Sequence, residues 1–203
     1  MIKHKFIKKT KEDAINEATI TLQETIDNLI IIEKETKSSL FSGKKVEIEV
    51  IETREVIDFI KKTIQTLLKD LGFSANIEVK KVNDVPNYII YSDNDSLLIG
   101  KNGKNLQALS LIIAQIVKKE IGEPFRFIID INDYKEKKDH HIEFLARTTA
   151  KEVAKTKIEA KLDSMNSYER RLVHNAASKI TGVVTKSEGE EPNRYVVIKP
   201  KED

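Results

Sequence analysis

A short glycine turn is the stretch of this sequence whose residue types point most directly to a chemical role. Gly100 and Gly103 enclose Lys101 and Asn102, and Lys104 follows at the start of an amphipathic stretch. Two glycines at this spacing let the main chain approach a ligand closely, and the N–H groups at the start of the following helix attract phosphate. The lysines add mobile positive charge. The pattern predicts a non-covalent grip on a nucleic-acid backbone.

A second candidate site lies in the C-terminal third of the chain, where an arginine precedes a histidine by four residues. Arg170 and His174 share one face if the segment is helical, and Arg171 adds charge beside them. Arginine presents a planar fork that matches phosphate, and histidine offers a further donor. At an ordinary pKa of about 6.5, His174 is mostly neutral near pH 7, and a nearby phosphate would raise that pKa. We interpret the pair as a binding site and expect binding to tighten mildly on acidification.

Spacing and composition disfavour several other chemistries. A Walker loop needs four residues between its glycines and a Ser or Thr after its Lys, whereas Asn105 follows Lys104 here. The sequence contains no Gly-x-Gly-x-x-Gly fingerprint of a dinucleotide site. It has no cysteine and no His-Glu-x-x-His motif, and the adjacent His140 and His141 point to different sides of a helix. We therefore expect no enzyme activity, no cofactor and no metal.

The glycine turn is embedded in an ordered series of predicted elements. Apolar residues recur at helical spacing over residues 53–71, and Gly72 is the expected end of that helix. Residues 77–82 and 88–91 are typical of a hairpin around an Asn-Asp-Val-Pro turn, and residues 125–131 of a third strand. A second long helix lies between the glycines and that strand. Its predicted apolar face comprises Leu106, Leu109, Ile112, Ile113, Ile116 and Val117.

This order of elements, with that turn, resembles the bacterial type II KH domain over residues 53–132. The resemblance implies an α-β-β-α-α-β fold in which residues 100–103 clamp about four nucleotides of a single strand. It also implies a groove for the bases, floored by apolar residues such as Ile99 and Leu106.

The elements around Arg170 and His174 form another pattern. A long helix is predicted over residues 133–157, and Ser167 is the expected N-cap of the helix that carries the pair, before a terminal hairpin. The apolar face of the long helix comprises Ile142, Leu145, Ala146, Thr149, Ala150, Val153 and Ala154. The segment resembles the single-stranded nucleic-acid-binding domain named after its R-x-x-x-H motif. This resemblance makes Arg170 and His174 the signature pair of a small α/β domain.

The N-terminal third predicts a small β-α-β-β unit. Thr10 is the expected N-cap of its helix, and strand-like runs flank that helix. The apolar stripe of the helix comprises Ala14, Ala18, Leu22 and Ile26. Taken with the other two segments, the arrangement resembles the Jag family, also called the KhpB family, along essentially the whole chain. Its members carry a Jag N-terminal domain, a KH domain and an R-x-x-x-H domain in this order.

The family resemblance implies a chain of three small α+β domains, at residues 1–51, 52–132 and 133–203. It further implies a cytoplasmic RNA-binding protein, an RNA chaperone or post-transcriptional regulator, linked in some bacteria to cell-wall synthesis and cell shape. A small stand-alone KH protein is the implied partner. In the loop at residues 38–43, serines replace the glycine-rich pattern of the family and only Gly43 is retained, which puts the role of that loop in doubt.

Composition limits how such a protein could bind its ligand. The chain has 203 residues, of which 39% are hydrophobic, so it can form several small cores. Its net charge of +2 argues against an extended basic surface, and we expect few phosphate contacts and a shallow dependence on salt. Aromatic residues make up 6%, which disfavours stacking platforms. No secretory signal or membrane-spanning stretch is recognised, so we expect a cytoplasmic protein without membrane insertion.

Some alternatives stay open from the residues alone. RNA and single-stranded DNA are both compatible with a backbone clamp, because such a clamp carries little base information. A protein-interaction scaffold is the second interpretation, supported by the low net charge, although the intact turn and the intact Arg170 and His174 pair favour nucleic acid. A homodimer through the N-terminal helix or an edge of the KH sheet is also open.

Overall fold

A computed structural model describes residues 1–34 and 45–201, and the chain divides into two compact units, Met1–Asn132 and Asp133–Asp203. Each unit combines helices with small three-stranded sheets, which confirms the α+β fold class. The boundary at residues 51 and 52 stays a prediction, and the loop at residues 38–43 lies outside the described residues. Over the described part of the chain, no helix combines the length and apolar character needed to cross a bilayer.

One helix on an antiparallel sheet forms the first part of the first unit, in the predicted β-α-β-β order. Its elements are β1 (His4–Lys8), α1 (Lys11–Leu22), β2 (Leu29–Lys34) and β3 (Val46–Glu52). The sheet has the order β1-β3-β2, and both pairings are antiparallel. The Thr10 hydroxyl accepts a hydrogen bond from the Asp13 N–H at 3.1 Å, as an N-cap does. Helix and sheet share a core of Phe6, Ala14, Ala18, Leu29, Ile48 and Val50.

Helix α1 is shorter than its apolar stripe predicts. It ends at Leu22 because Gln23 adopts a left-handed conformation with φ of 54° and donates its N–H to the Thr19 carbonyl. Ile26 therefore lies in a short 3-10 turn, where it is 51% exposed. The prediction that Ile26 belongs to the buried stripe is wrong.

The second part of the first unit holds the glycine turn. Its elements are α2 (Thr53–Asp70), β4 (Ala75–Val82), β5 (Val85–Ser92), α3 (Asp95–Ile99), α4 (Lys104–Ile121) and β6 (Ile128–Ile131). Strand β5 is central, antiparallel to β4 and parallel to β6. This is the α-β-β-α-α-β order that the KH resemblance implies. Buried apolar positions at helical spacing hold α2 and α4 in place: Val56, Ile60, Ile64, Leu68, Leu106, Leu109, Ile113, Val117 and Ile121.

Three details differ from expectation in this part. The hairpin turn contains only Asn83 and Asp84, both with positive φ, because two left-handed residues suit the twist of the flanking strands. Strand β6 begins at Ile128, where its pairing with β5 begins, rather than at residue 125. On α4, Ile112 and Ile116 are 49% and 37% exposed, so the buried stripe is narrower than the apolar pattern.

The second unit packs two helices on one side of an antiparallel sheet. Its elements are α5 (Tyr134–Thr156), β7 (Ala160–Lys161), α6 (Ser167–Ala177), β8 (Val183–Glu188) and β9 (Tyr195–Pro200), with the sheet order β7-β9-β8. Helix residues meet strand residues in two adjoining cores, which contain Ile142, Ala146, Ala150, Val153, Val173, Ala176, Ala177, Val196 and Ile198. Leu145, predicted on the buried face, is 41% exposed. Only the narrow Ile and Ala side of α5 enters the core.

Candidate nucleic-acid interface

The Gly-x-x-Gly turn (residues 100–103) has a backbone that depends on its two glycines. Gly100 ends α3 with φ of 68° and ψ of 176°, a region that is essentially restricted to glycine. Gly103 opens α4 with φ of 82° and ψ of 15°, and its N–H donates to the Gly100 carbonyl at 3.1 Å. Asn102, between them, also has a positive φ of 57°. The turn is therefore a tight loop that directs its two middle residues outward.

Asn105 braces this turn from the first turn of α4. Its side-chain Nδ2 donates to the Leu97 carbonyl at 2.8 Å, which ties α4 to the end of α3. A Cβ placed on Gly100 would lie 2.5 Å from Asn105 Cγ, so the amide packs directly on the glycine. Sequence reasoning used Asn105 only to exclude a Walker loop. Its position in the helical turn that follows the glycines was the one signal available.

Exposed cationic and polar groups surround the turn. Lys101, Asn102 and Lys104 are all exposed, and no side chain among the described residues caps the start of α4. The first turn of this helix carries no acidic residue, although acidic residues are favourable there and Lys104 is not. An anion at this position would relieve that electrostatic mismatch and bind the N-terminal N–H groups.

The two apolar residues expected to floor a base groove differ in exposure. Ile99 is half-buried, next to the turn. Leu106 is 4% exposed and belongs to the core, so this conformation offers it little contact with a base. Leu97, which sequence reasoning did not select, is 57% exposed at the end of α3.

In the second unit, a capping box positions the helix that carries the arginine and histidine. Asn166, rather than the predicted Ser167, is the N-cap: its side chain accepts from the Glu169 N–H at 3.0 Å. The Glu169 carboxylate accepts from the Asn166 N–H at 3.0 Å and pairs with Lys138 at 2.6 Å. Ser167 becomes the first helical residue because the asparagine, with Glu three residues later, satisfies both orphan N–H groups.

Arg170 is turned into its own unit rather than toward solvent. The residue is 8% exposed, and its Nη1 donates to the Met165 carbonyl at 2.9 Å and to Glu191 Oε1 at 2.8 Å. Glu191 lies in the connection between β8 and β9, so the guanidinium links the start of α6 to that connection. Arg171, by contrast, is exposed.

His174 bridges α6 and β8 with both ring nitrogens. Nδ1 lies 2.6 Å from Thr185 Oγ1, and Nε2 lies 2.9 Å from Ser187 Oγ. Burial, with a smaller contribution from the Arg170 charge, lowers the pKa of His174 below its usual value. The ring is therefore neutral near pH 7, with one nitrogen donating and the other accepting.

The structure thus groups the predicted residues into two sets, each within its own unit. The turn residues are brought together by chain proximity, and Arg170 and His174 lie one helical turn apart on α6. Sequence reasoning missed Glu191, because 21 residues separate it from Arg170 and no local pattern links them. Across the described residues, no group of three or more His, Cys, Asp or Glu side chains is placed to hold a metal ion.

The fold and the arginine–histidine pair of the second unit define a protein with an R-x-x-x-H domain, and the family model of that domain matches residues 140–200. The chain is 32% identical over 202 residues to the RNA-binding protein KhpB of Clostridium symbiosum, covering 96% of this chain and 90% of that protein. KhpB of Streptococcus pneumoniae is 30% identical over 156 residues, which cover 77% of this chain and 47% of the relative. KhpB of Bacillus subtilis is 28% identical, covering 85% of each. The chain belongs to the KhpB family, as the resemblance implied.

Proposed function

We propose that this chain binds single-stranded RNA and that the Gly-x-x-Gly turn holds the RNA backbone. The observation that carries the proposal is the exposed turn itself, which opens the 18-residue helix α4 without an acidic residue in its first turn. The relatives are named RNA-binding proteins, which supports RNA as the ligand. Single-stranded DNA is the alternative ligand, since backbone contacts carry little base information.

Each residue of the turn has a role in this proposal. Gly100 and Gly103 let the main chain approach a phosphate, and Lys101, Asn102 and Lys104 contact neighbouring phosphates. Ile99 lies beside a base, and Leu106 supports the turn from the core. In the second unit, Arg171 makes an exposed phosphate contact, while Arg170 and His174 shape that surface and supply the signature pair.

Binding rather than catalysis is part of the proposal. His174 is neutral and has both ring nitrogens engaged with side-chain oxygens, an arrangement that suits a structural or binding role. We place the protein in the cytoplasm, the compartment of its proposed ligand. Roles as an RNA chaperone or regulator, and a link to cell-wall synthesis and cell shape, remain predictions of the family resemblance. Annealing of a complementary RNA pair with and without the protein measures the chaperone role.

Fluorescence anisotropy with short single-stranded RNA tests the main proposal. A Lys101→Asp and Asn102→Asp variant should bind at least about tenfold more weakly than the wild type, because it places two carboxylates where the phosphates would lie. The matched control is Lys62→Asp with Gln65→Asp on the exposed side of α2, which changes the net charge equally. Circular dichroism checks that both variants fold.

The outcomes separate the competing interpretations. Loss of binding in the turn variant, with the control unchanged, supports the clamp. Equal loss in both variants shows that only net charge matters, and unchanged binding in both moves the site to the second unit. No binding by the wild type across several RNA and DNA pools favours the protein-interaction scaffold.

Protein partners are a separate part of the proposal. Helix α4 exposes Leu111, Ile112 and Ile116 on one side, at 61%, 49% and 37%. An apolar helix face can pack against the same face of a second copy across a two-fold axis, and a small stand-alone KH protein would present an equivalent helix. We expect light scattering to show a dimer that Ile112→Asp disrupts. A wild-type monomer at high concentration would contradict self-association.

A further inference from the structure

The ion pair between Arg170 and Glu191 joins two side chains with very different exposure. The arginine side chain is 9% exposed and the glutamate side chain is 58% exposed, and Arg170 Nη1 lies 2.8 Å from Glu191 Oε1. The same Nη1 donates to the Met165 carbonyl at 2.9 Å. The guanidinium is therefore anchored from within the unit by a backbone carbonyl, while a solvent-accessible carboxylate pairs with it from outside.

Glu191 carries this pairing alone. Over the described residues, it is the one acidic side chain within ion-pair distance of Arg170, because the nearby Glu169 carboxylate pairs with Lys138 and accepts the Asn166 N–H. A buried guanidinium needs an anionic or strongly accepting partner, since leaving it unpaired is strongly unfavourable. A carboxylate and a phosphate both fit the guanidinium fork.

We propose that Glu191 is an internal competitor for the phosphate that Arg170 would bind. A phosphodiester of single-stranded RNA takes the position of the Glu191 carboxylate, and the carboxylate moves into water. The exchange replaces one anion by another, so the buried guanidinium stays compensated throughout. This inference rests on the proposed function, because it assigns the ligand of Arg170 to the same RNA.

Glu191→Gln and Glu190→Gln form a matched pair of test variants. Both remove one negative charge, from adjacent exposed positions in the same connection. Glu190 contacts the connection through its backbone carbonyl, which accepts from the Asn193 N–H at 2.8 Å and is retained in the variant. In Glu191→Gln, the amide oxygen of the new side chain can still accept from Arg170, so this variant should keep the fold, as thermal unfolding would verify.

Fluorescence anisotropy with the full chain and a short oligouridine measures the effect. We expect Glu191→Gln to bind at least about threefold more tightly than the wild type and more tightly than Glu190→Gln, since it removes a competing charge rather than a distant one. The difference should disappear with an oligonucleotide whose phosphates are replaced by neutral methylphosphonates, a readout that a purely structural role of Glu191 would not produce.

Two results would overturn the competitor role while leaving the proposed function intact. Equal tightening in both variants would show a general charge effect, and weaker binding by Glu191→Gln would show that the carboxylate only holds the connection in place. No RNA binding by the wild type or either variant would overturn the proposed function together with this inference.

Discussion

Gly100 holds a backbone conformation that other residues adopt only with strain. With φ of 68° and ψ of 176°, and with Asn105 Cγ 2.5 Å from where a Cβ would lie, Gly100→Ala is penalised by both strain and collision. We expect it to lower the free energy of unfolding by about 3 kcal/mol. Urea unfolding followed by circular dichroism measures the loss.

Gly72 supplies the control for that substitution. It has φ of 85°, and a Cβ there would meet nothing within 4 Å, so Gly72→Ala should cost only about 1 kcal/mol. Adding Asn105→Ala to Gly100→Ala removes the collision and should restore part of the stability. Equal losses in the two alanine variants would show that packing by Asn105 has no effect.

His174 makes the stability of its unit depend on pH. Its pKa in the folded state lies below the unfolded value of about 6.5, because burial and the Arg170 charge disfavour the protonated ring. The unfolded chain therefore binds the proton more readily, so the stabilising contribution is present above about pH 6.5 and is lost as pH falls through the folded pKa. We expect wild-type stability to fall between about pH 7 and pH 5.5 more than that of His174→Gln. Parallel curves for the two proteins in urea titrations would contradict this assignment.

Helix α6 depends on the capping box at its start. Asn166→Ala removes the side chain that accepts the Glu169 N–H and should destabilise the protein by about 1 kcal/mol. Ser167→Ala should have a much smaller effect, because Ser167 is the first helical residue and alanine favours a helix. Thermal unfolding of the two variants distinguishes them, and a larger loss in Ser167→Ala would restore the cap that the sequence predicted.

Helices and strands could be predicted here because their signals are local. Gly72 and Gly122 take the left-handed conformations that end α2 and α4, at φ of 85° and 101°, and periodic apolar residues mark the helices between such signals. Periodicity does not reveal how wide a buried face is, so the pattern assigns Ile112 to the core although it is 49% exposed. The Arg170 and Glu191 pair joins residues far apart in sequence, and only tertiary folding brings them together.

The near-neutral chain as a whole should bind RNA with a weak dependence on salt. A net charge of +2 leaves local cations to make the contacts, and the exposed candidates are Lys101, Lys104 and Arg171. Three phosphate contacts on a single strand predict a slope of about −2 for the logarithm of the binding constant against the logarithm of salt concentration.

Anisotropy titrations over a range of potassium chloride concentrations measure that slope. Lys104→Gln should make it shallower by about 0.7, because one phosphate contact is lost. The exposed Lys119 lies near the other end of α4, so Lys119→Gln should leave the slope unchanged while altering the net charge equally. A wild-type slope steeper than about −5 would require more cations than these and would imply a wider basic surface. Equal effects of the two lysine variants would instead make binding a property of total charge and not of the turn.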